Sequence, residues 1–367
     1  MLVSSMVPAR FLAALALLLL TGVQCTSDAP DALSVEETLR LGTDDPDAPT
    51  HRLFNNPSEV AVGRNGTLFL ADGPGTKVHV YDDSTYRFSI GQKGNGPGEF
   101  RQITALHVDQ HGRLLVADRR QARITAFSQD GDLLATYQLP EVPRISEIVD
   151  LSEDRYVVVG AGENHLVHVV DTSFSTVQAS LVAQSEVKAT DHKLETIAVQ
   201  FFPGSVAVPD ASTIVYAPAL YTGTLYAYER SEDGSWTQVN EYEGRARHES
   251  PVTFSSLDRA DRVDLPITLQ SGRHAAQFHS LSWALDAGPD GALAHVFMQE
   301  NGDVLELTLE RFSPNGTVRD ASVIDTSSAL TLEALSINAT GTLSLSDTRE
   351  VPQLRRLTWY PTDVQSR

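Results

Sequence analysis

The chain has 367 residues, with 48 Asp and Glu against 28 Lys and Arg, a single cysteine and 41% apolar residues. A formal charge of −20 with no basic block excludes nucleic-acid binding through clustered phosphate contacts. One cysteine excludes a disulfide scaffold or a thiolate metal cluster, while the apolar fraction suffices for a large core.

The first 25 residues read as a targeting segment. Arg10 precedes an unbroken apolar run over residues 11–20, and Thr21-Gly22-Val23-Gln24-Cys25 follows at once. Such a run is too short for a stable membrane span and fits a secretory h-region. Cys25 stands where a bacterial lipoprotein carries its lipidated residue, although Gly22 and Gln24 depart from the usual lipobox; simple cleavage after Cys25 is the competing reading. The mature chain is therefore expected outside the cytoplasm, as a cell-envelope lipoprotein or a periplasmic or secreted protein. Any membrane attachment would run through an N-terminal lipid. Residues 26–34 read as a polar tether.

From residue 50 onward the chain repeats itself. Residues 56–62 (NPSEVAV), a turn at Asn65-Gly66 and residues 67–72 (TLFLAD) recur around Gly112 and Asp118, and again around Gly341 and Asp347. In each copy an Asp follows the turn Gly at the same offset: 66 to 72, 112 to 118, 341 to 347. Third strands such as KVHVY (residues 77–81) and RITAF (123–127) follow a loop, and a fourth follows another turn, as in LLATY (133–137). Weaker copies begin near Ile145, Ser205 and Leu281. Six four-stranded meanders of about 50 residues each, without helical periodicity between them, predict an all-β, six-bladed β-propeller.

The last repeat supplies only three strands, near residues 332–337, 342–346 and 354–360. The orphan strand pattern VEETLRL at residues 35–41 is expected to complete that blade and remove its open edge. Residues 35–367 are thus expected to form a single domain.

The stretch from Pro57 to Phe100 resembles the NHL-repeat family: an apolar inner strand, a turn Gly, Ala71-Asp72 at the end of the second strand, Val80-Tyr81 closing the third, and the glycine-rich connector GQKGNGPGEF (residues 91–100). The resemblance is clear over residues 55–137, returns over 332–360 and fades between them. It implies that the recurrent Asp is structural. It also implies that ligands meet the face built from the loops between second and third strands and the connectors between blades.

On that face Arg101, Arg119, Arg120, Glu163, His165, Tyr221 and Arg349 are the candidate contacts. Two connectors are unusually long, residues 183–203 and 244–276; such loops are more often functional than ornamental. The second carries Arg245, Arg247, Arg259, Arg262 and Arg273 against Glu249, Asp258, Asp261 and Asp264, a locally basic segment in an acidic chain and a place for an anion.

No HExxH, CxxC, phosphate loop, GxSxG elbow or EF-hand pattern occurs. The expectation is a non-catalytic binding or scaffold module for a protein, peptide or glycan, with no cofactor. The alternative is a calcium-dependent lactonase of the gluconolactonase type, an architecture with an axial oxygen-ligated metal; here Glu59, Glu147 and Glu333, at the starts of three inner strands, would be the carboxylates. A peptide-amidating lyase would need axial histidines, for which His107 and His279 are the candidates.

Overall fold

The computed structural model describes residues 33–361, apart from residues 74–75, 189, 191, 248–249, 257–267, 272–273, 328–331, 339–340 and 348–351. The chain opens with strand β1 (Leu33–Leu41) and then lays down one four-stranded meander after another.

Blade one is β2 (Glu59–Val62), β3 (Thr67–Asp72), β4 (Lys77–Asp82) and β5 (Thr85–Ile90); blade two is β6 (Ile103–Val108), β7 (Leu114–Asp118), β8 (Arg123–Phe127) and β9 (Leu133–Gln138). Blade three is β10 (Arg144–Ser152), β11 (Arg155–Ala161), β12 (His165–Asp171) and β13 (Val177–Ala183); blade four is β14 (Ser205–Asp210), β15 (Thr213–Ala217), β16 (Thr224–Arg230) and β17 (Trp236–Glu243).

The long connector after blade four folds into its own sheet, made of β18 (Val252–Ser256), β19 (Thr268–Ser271) and β20 (His274–Phe278) in the order β18-β20-β19. Blade five then comprises β21 (Ser280–Ala287), β22 (Leu293–Asn301), β23 (Val304–Phe312) and β24 (Val318–Ser327); β25 (Leu332–Asn338), β26 (Thr342–Asp347) and β27 (Gln353–Pro361) begin blade six.

Strand β1 pairs antiparallel with β27, so the sixth sheet has the order β1-β27-β26-β25. The ring is closed: each inner strand neighbours the next, β2 to β6, β6 to β10, β10 to β14, β14 to β21, β21 to β25 and β25 back to β2. Closure leaves no open edge between the first and last blades. Arg355 of β27 holds the seam, with Nε 2.7 Å from Glu37 Oε2 on β1 and Nη1 2.9 Å from Asp325 Oδ2 on β24.

The middle strands are buried on both faces. All six residues of β3 and all five of β7 and β8 are buried, because blades pack face to face around the ring. The outer β9 alternates, and its Leu133 and Leu134 are exposed.

The recurrent Asp does what the resemblance implied. Asp118, 1% exposed, accepts from the backbone N–H groups of Arg101 (2.6 Å), Gln102 (3.2 Å) and Arg120 (3.0 Å), so one carboxylate ties the incoming connector to the β7–β8 loop. Asp72 repeats this in blade one, accepting from Asn55 and Asn56. The glycine-rich connector is fixed from the other side by Arg123, whose guanidinium donates to the Asn95, Gly96 and Glu99 carbonyls.

The other long connector also has structure of its own. It contains helix α1 (Lys193–Phe201), capped by His192, whose Nδ1 accepts from the Leu194 N–H at 3.2 Å. Glu195 in the first turn is buried and takes the Thr190 N–H at 2.8 Å. The helix touches β19 and β20, and the His192 ring stacks on Phe254 with centroids 4.0 Å apart. Two segments expected as loops thus meet as one accessory unit, joined to the main core through Leu194, Ala198, Val252 and Phe278.

Candidate functional site: the axial cavity

The six inner strands enclose an axial cavity of about 750 Å³. Four of those strands carry a register shift near their start: between Ile103 and Ala105, Ile145 and Glu147, Ser282 and Ala284, and Leu332 and Ala334. A bulge re-aims the neighbouring side chains. At this level the cavity wall carries Thr104, Ser146, Glu147, Ser282 and Trp283.

Glu59 and Glu147 both line the cavity. Glu147 accepts from Ser205 Oγ at 3.1 Å and from the Val206 N–H at 3.0 Å, both on the next blade. Burial pushes its carboxyl up to about 8; the donors from Val206 and Ser205 oppose that, and the charge of Asp286 adds to it. Burial also holds Glu59 well above the ordinary carboxylate range, with Glu147 contributing. Burial at the axis therefore favours the neutral form of both carboxyls.

Both Glu147 oxygens are engaged by blade-four donors, and among the described residues no group of three or more His, Cys, Asp and Glu is arranged to hold a metal. Glu333 lies on β25 with its side chain outside the described residues. The described wall carries three carboxyl groups, Glu59, Glu147 and Asp286, with both Glu147 oxygens already engaged, where calcium takes six to eight oxygens. His107 lies on the cavity wall with Nε2 3.2 Å from Asp150 Oδ2, whereas His279, between β20 and β21, is not on that wall and has Nδ1 2.6 Å from Glu300 Oε2.

One mouth of the cavity is basic and aromatic. Arg119 from the β7–β8 loop, Arg144 at the start of β10, and Gln200 and Phe202 from the end of α1 all line it. Arg144 Nη1 donates to Gln200 Oε1 at 3.2 Å. Burial lowers the pKa of the Arg119 guanidinium, and the positive charges of Arg144 and Arg120 lower it further. Phe202 is 57% exposed, an unusual state for a large aromatic ring.

The other sequence-derived candidates divide. Arg101, Arg120 and Glu163 are exposed and His165 is half-buried at the start of β12; Arg101 Nη1 reaches Asn95 Oδ1 at 3.2 Å. Arg245 and Arg247 are exposed, with Arg247 Nη1 2.8 Å from Glu306 Oε2. Tyr221 is not presented to solvent: it is 0% exposed, and its hydroxyl donates to Glu310 Oε1, because the β15–β16 loop turns it inward between blades four and five. Arg349, Arg259, Arg262, Arg273 and Cys25 lie outside the described residues. Arg144, Gln200 and Phe202 were not among the candidates. Arg144 had no motif to mark it, and the role of the other two depends on where α1 lands.

These features define a closed six-bladed β-propeller with an axial, ligand-sized cavity. The chain belongs to the DUF5128 family, described as a 6-bladed beta-propeller, whose profile matches residues 23–240. It is also 32% identical to human NHL repeat-containing protein 3 over 81 residues, covering 21% of this chain and 23% of the human protein. The matched part is less than a quarter of that relative's length.

Among solved structures, it is similar to a DUF4221 family member from Bacteroides vulgatus (TM-score 0.56, 9% identity, 90% of this chain and 99% of that one). It is also similar to a protein of Bacteroides fragilis named as a candidate exported protein (TM-score 0.54, 13% identity, 91% and 96%). At these identities the likeness shows the fold alone. Among the described residues no helix is long and apolar enough to cross a membrane.

Proposed function

We propose that this propeller is an extracytoplasmic binding module that seats the anionic end of a peptide or glycan at the mouth of its axial cavity. The observation that carries this reading is the pairing of the Arg119 and Arg144 guanidinium groups with the exposed ring of Phe202 around one opening. A half-buried cation crowded by two others gains from an incoming carboxylate, and the exposed ring gains from apolar contact. Below the mouth, the Glu59 and Glu147 carboxyls, whose neutral forms burial favours, offer hydrogen-bonding groups to polar atoms of a ligand. The extracytoplasmic placement is supported by the apolar N-terminal run.

The test is binding of the mature chain to arrays of acidic peptides and uronic-acid oligosaccharides, with an R119A/R144A double variant and F202A alongside. The double variant is expected to lose at least tenfold in affinity for carboxylate-bearing ligands, with steep salt dependence in the parent protein. Equal affinity in parent and double variant would sink the reading.

A further inference from the structure

On blade five a run of three side chains leads outward from the cavity. Ser282 on β21 lines the cavity and is half-buried. Its Oγ lies 2.8 Å from Nε2 of His295 on β22, and His295 Nδ1 lies 2.8 Å from Oε1 of Glu310 on β23. His295 and Glu310 are direct register partners and are both 0% exposed.

Glu310 is held as an acceptor. The Tyr221 hydroxyl also donates to Oε1, and the Arg245 N–H donates to Oε2 at 2.8 Å. Gly244 makes this approach possible, since a Cβ there would overlap Tyr221 Oη and both Glu310 oxygens. A carboxylate that only accepts takes the His295 Nδ1 proton in a hydrogen bond, and in the neutral imidazole Nε2 is then the acceptor facing Ser282. The serine hydroxyl therefore donates to a histidine whose tautomer a buried carboxylate has fixed, at an opening large enough for a small molecule.

We propose that Ser282 is a nucleophile, with His295 as its general base and Glu310 as the positioning residue, acting on a carboxylic ester held in the axial cavity. Ser282 Oγ attacks the ester carbonyl carbon while its proton passes to His295 Nε2. The bond from that carbon to the alcohol oxygen breaks, and the alcohol leaves with the proton from Nε2. Water, deprotonated by the same nitrogen, then attacks the acyl-serine; the carboxylic acid departs and Ser282 regains its proton. No oxidant, reductant or metal is needed. This assignment rests on the reading of the axial cavity as the ligand site.

A second run, Thr253 Oγ1 to His279 Nε2 at 2.7 Å and His279 Nδ1 to Glu300 Oε2 at 2.6 Å, links β18 of the accessory sheet to β22 of blade five. Thr253 is not on the cavity wall, so this run is the internal comparison.

The experiment is exposure of the mature full chain to a fluorophosphonate probe, with peptide mass spectrometry to locate the adduct and p-nitrophenyl acetate hydrolysis as a second readout. The expected result is an adduct on Ser282, absent in S282A and slowed at least ~100-fold in H295Q, with none on Thr253. E310Q is expected to move the pH profile of labelling, a change that a merely structural role would not produce. S282A removes one atom, and a circular-dichroism melt checks that it folds. An unlabelled Ser282 in folded parent protein, or an adduct on Ser282 at the parent rate in folded H295Q, overturns the proposal. Failure of labelling leaves peptide or glycan affinity at the mouth unaffected, so the two readings fall separately.

Discussion

The Glu147 carboxyl and the Ser205 hydroxyl meet at 3.1 Å across the seam between blades three and four, and Ser205 Oγ in turn accepts the Leu285 N–H of blade five at 3.0 Å. One acid and one hydroxyl thus link three consecutive inner strands at the axis.

The raised pKa of Glu147, about 8, sets a pH dependence of stability. Between the unfolded value of 4.5 and this folded value the native state binds more protons than the unfolded chain. Stability is therefore fully present below the unfolded value and falls as pH rises toward 8. E147Q, which cannot ionise, is expected to be more stable than the parent at pH 9 by about 2–4 kcal/mol and closer to it at pH 4. Urea unfolding at the two pH values checks this; a parallel pH dependence in both proteins would refute it.

Asp118 is a different case, a buried carboxylate whose removal strands several donors. D118A leaves the Arg101, Gln102 and Arg120 N–H groups without their acceptor and is expected to cost about 3 kcal/mol. The midpoint of urea unfolding measures it, and a loss below about 1 kcal/mol would mean that water replaces the carboxylate.

Calcium is expected to leave the thermal midpoint unchanged, because both Glu147 oxygens are already engaged by Ser205 and Val206 and among the described residues no group of three or more His, Cys, Asp and Glu is arranged to hold a metal. A melt in millimolar calcium against EDTA decides this: a rise of several degrees, reversed by the chelator, would return a metal to the axis.

Ring closure depends on β1. Deleting residues before Gly42 uncovers the outer edge of β27 and breaks the Glu37–Arg355 contact. The truncated chain is expected to elute as aggregates in size-exclusion chromatography, where the intact mature chain elutes as a single compact species.

The architecture was legible because each blade repeats within a short stretch of chain. Gly66 with Asp72 and Gly112 with Asp118 recur at one offset, and the orphan strand near the start matched the missing strand near the end. The accessory sheet was hidden, since β18 and β20 resemble the blades' strands and lie inside a segment too polar to suggest a fold. The run from Ser282 to His295 to Glu310 was illegible for another reason. Its members sit on three successive strands of one blade, and the register that aligns them depends on the bulge between Ser282 and Ala284. Tyr221 was misread as a surface group because a loop position says nothing about which way a ring turns when a buried carboxylate awaits it.

The pairing of β1 with β27 has a consequence for how the molecule is made. Leu33 finds its partner in Pro361, close to the far end of the chain. Strand β1, which leaves the ribosome before the other strands of the ring, is therefore the last of them to be satisfied, and it waits unpaired while five blades assemble behind it. Until residues near 361 emerge, the ring is an open arc and β1 has no strand to pair with.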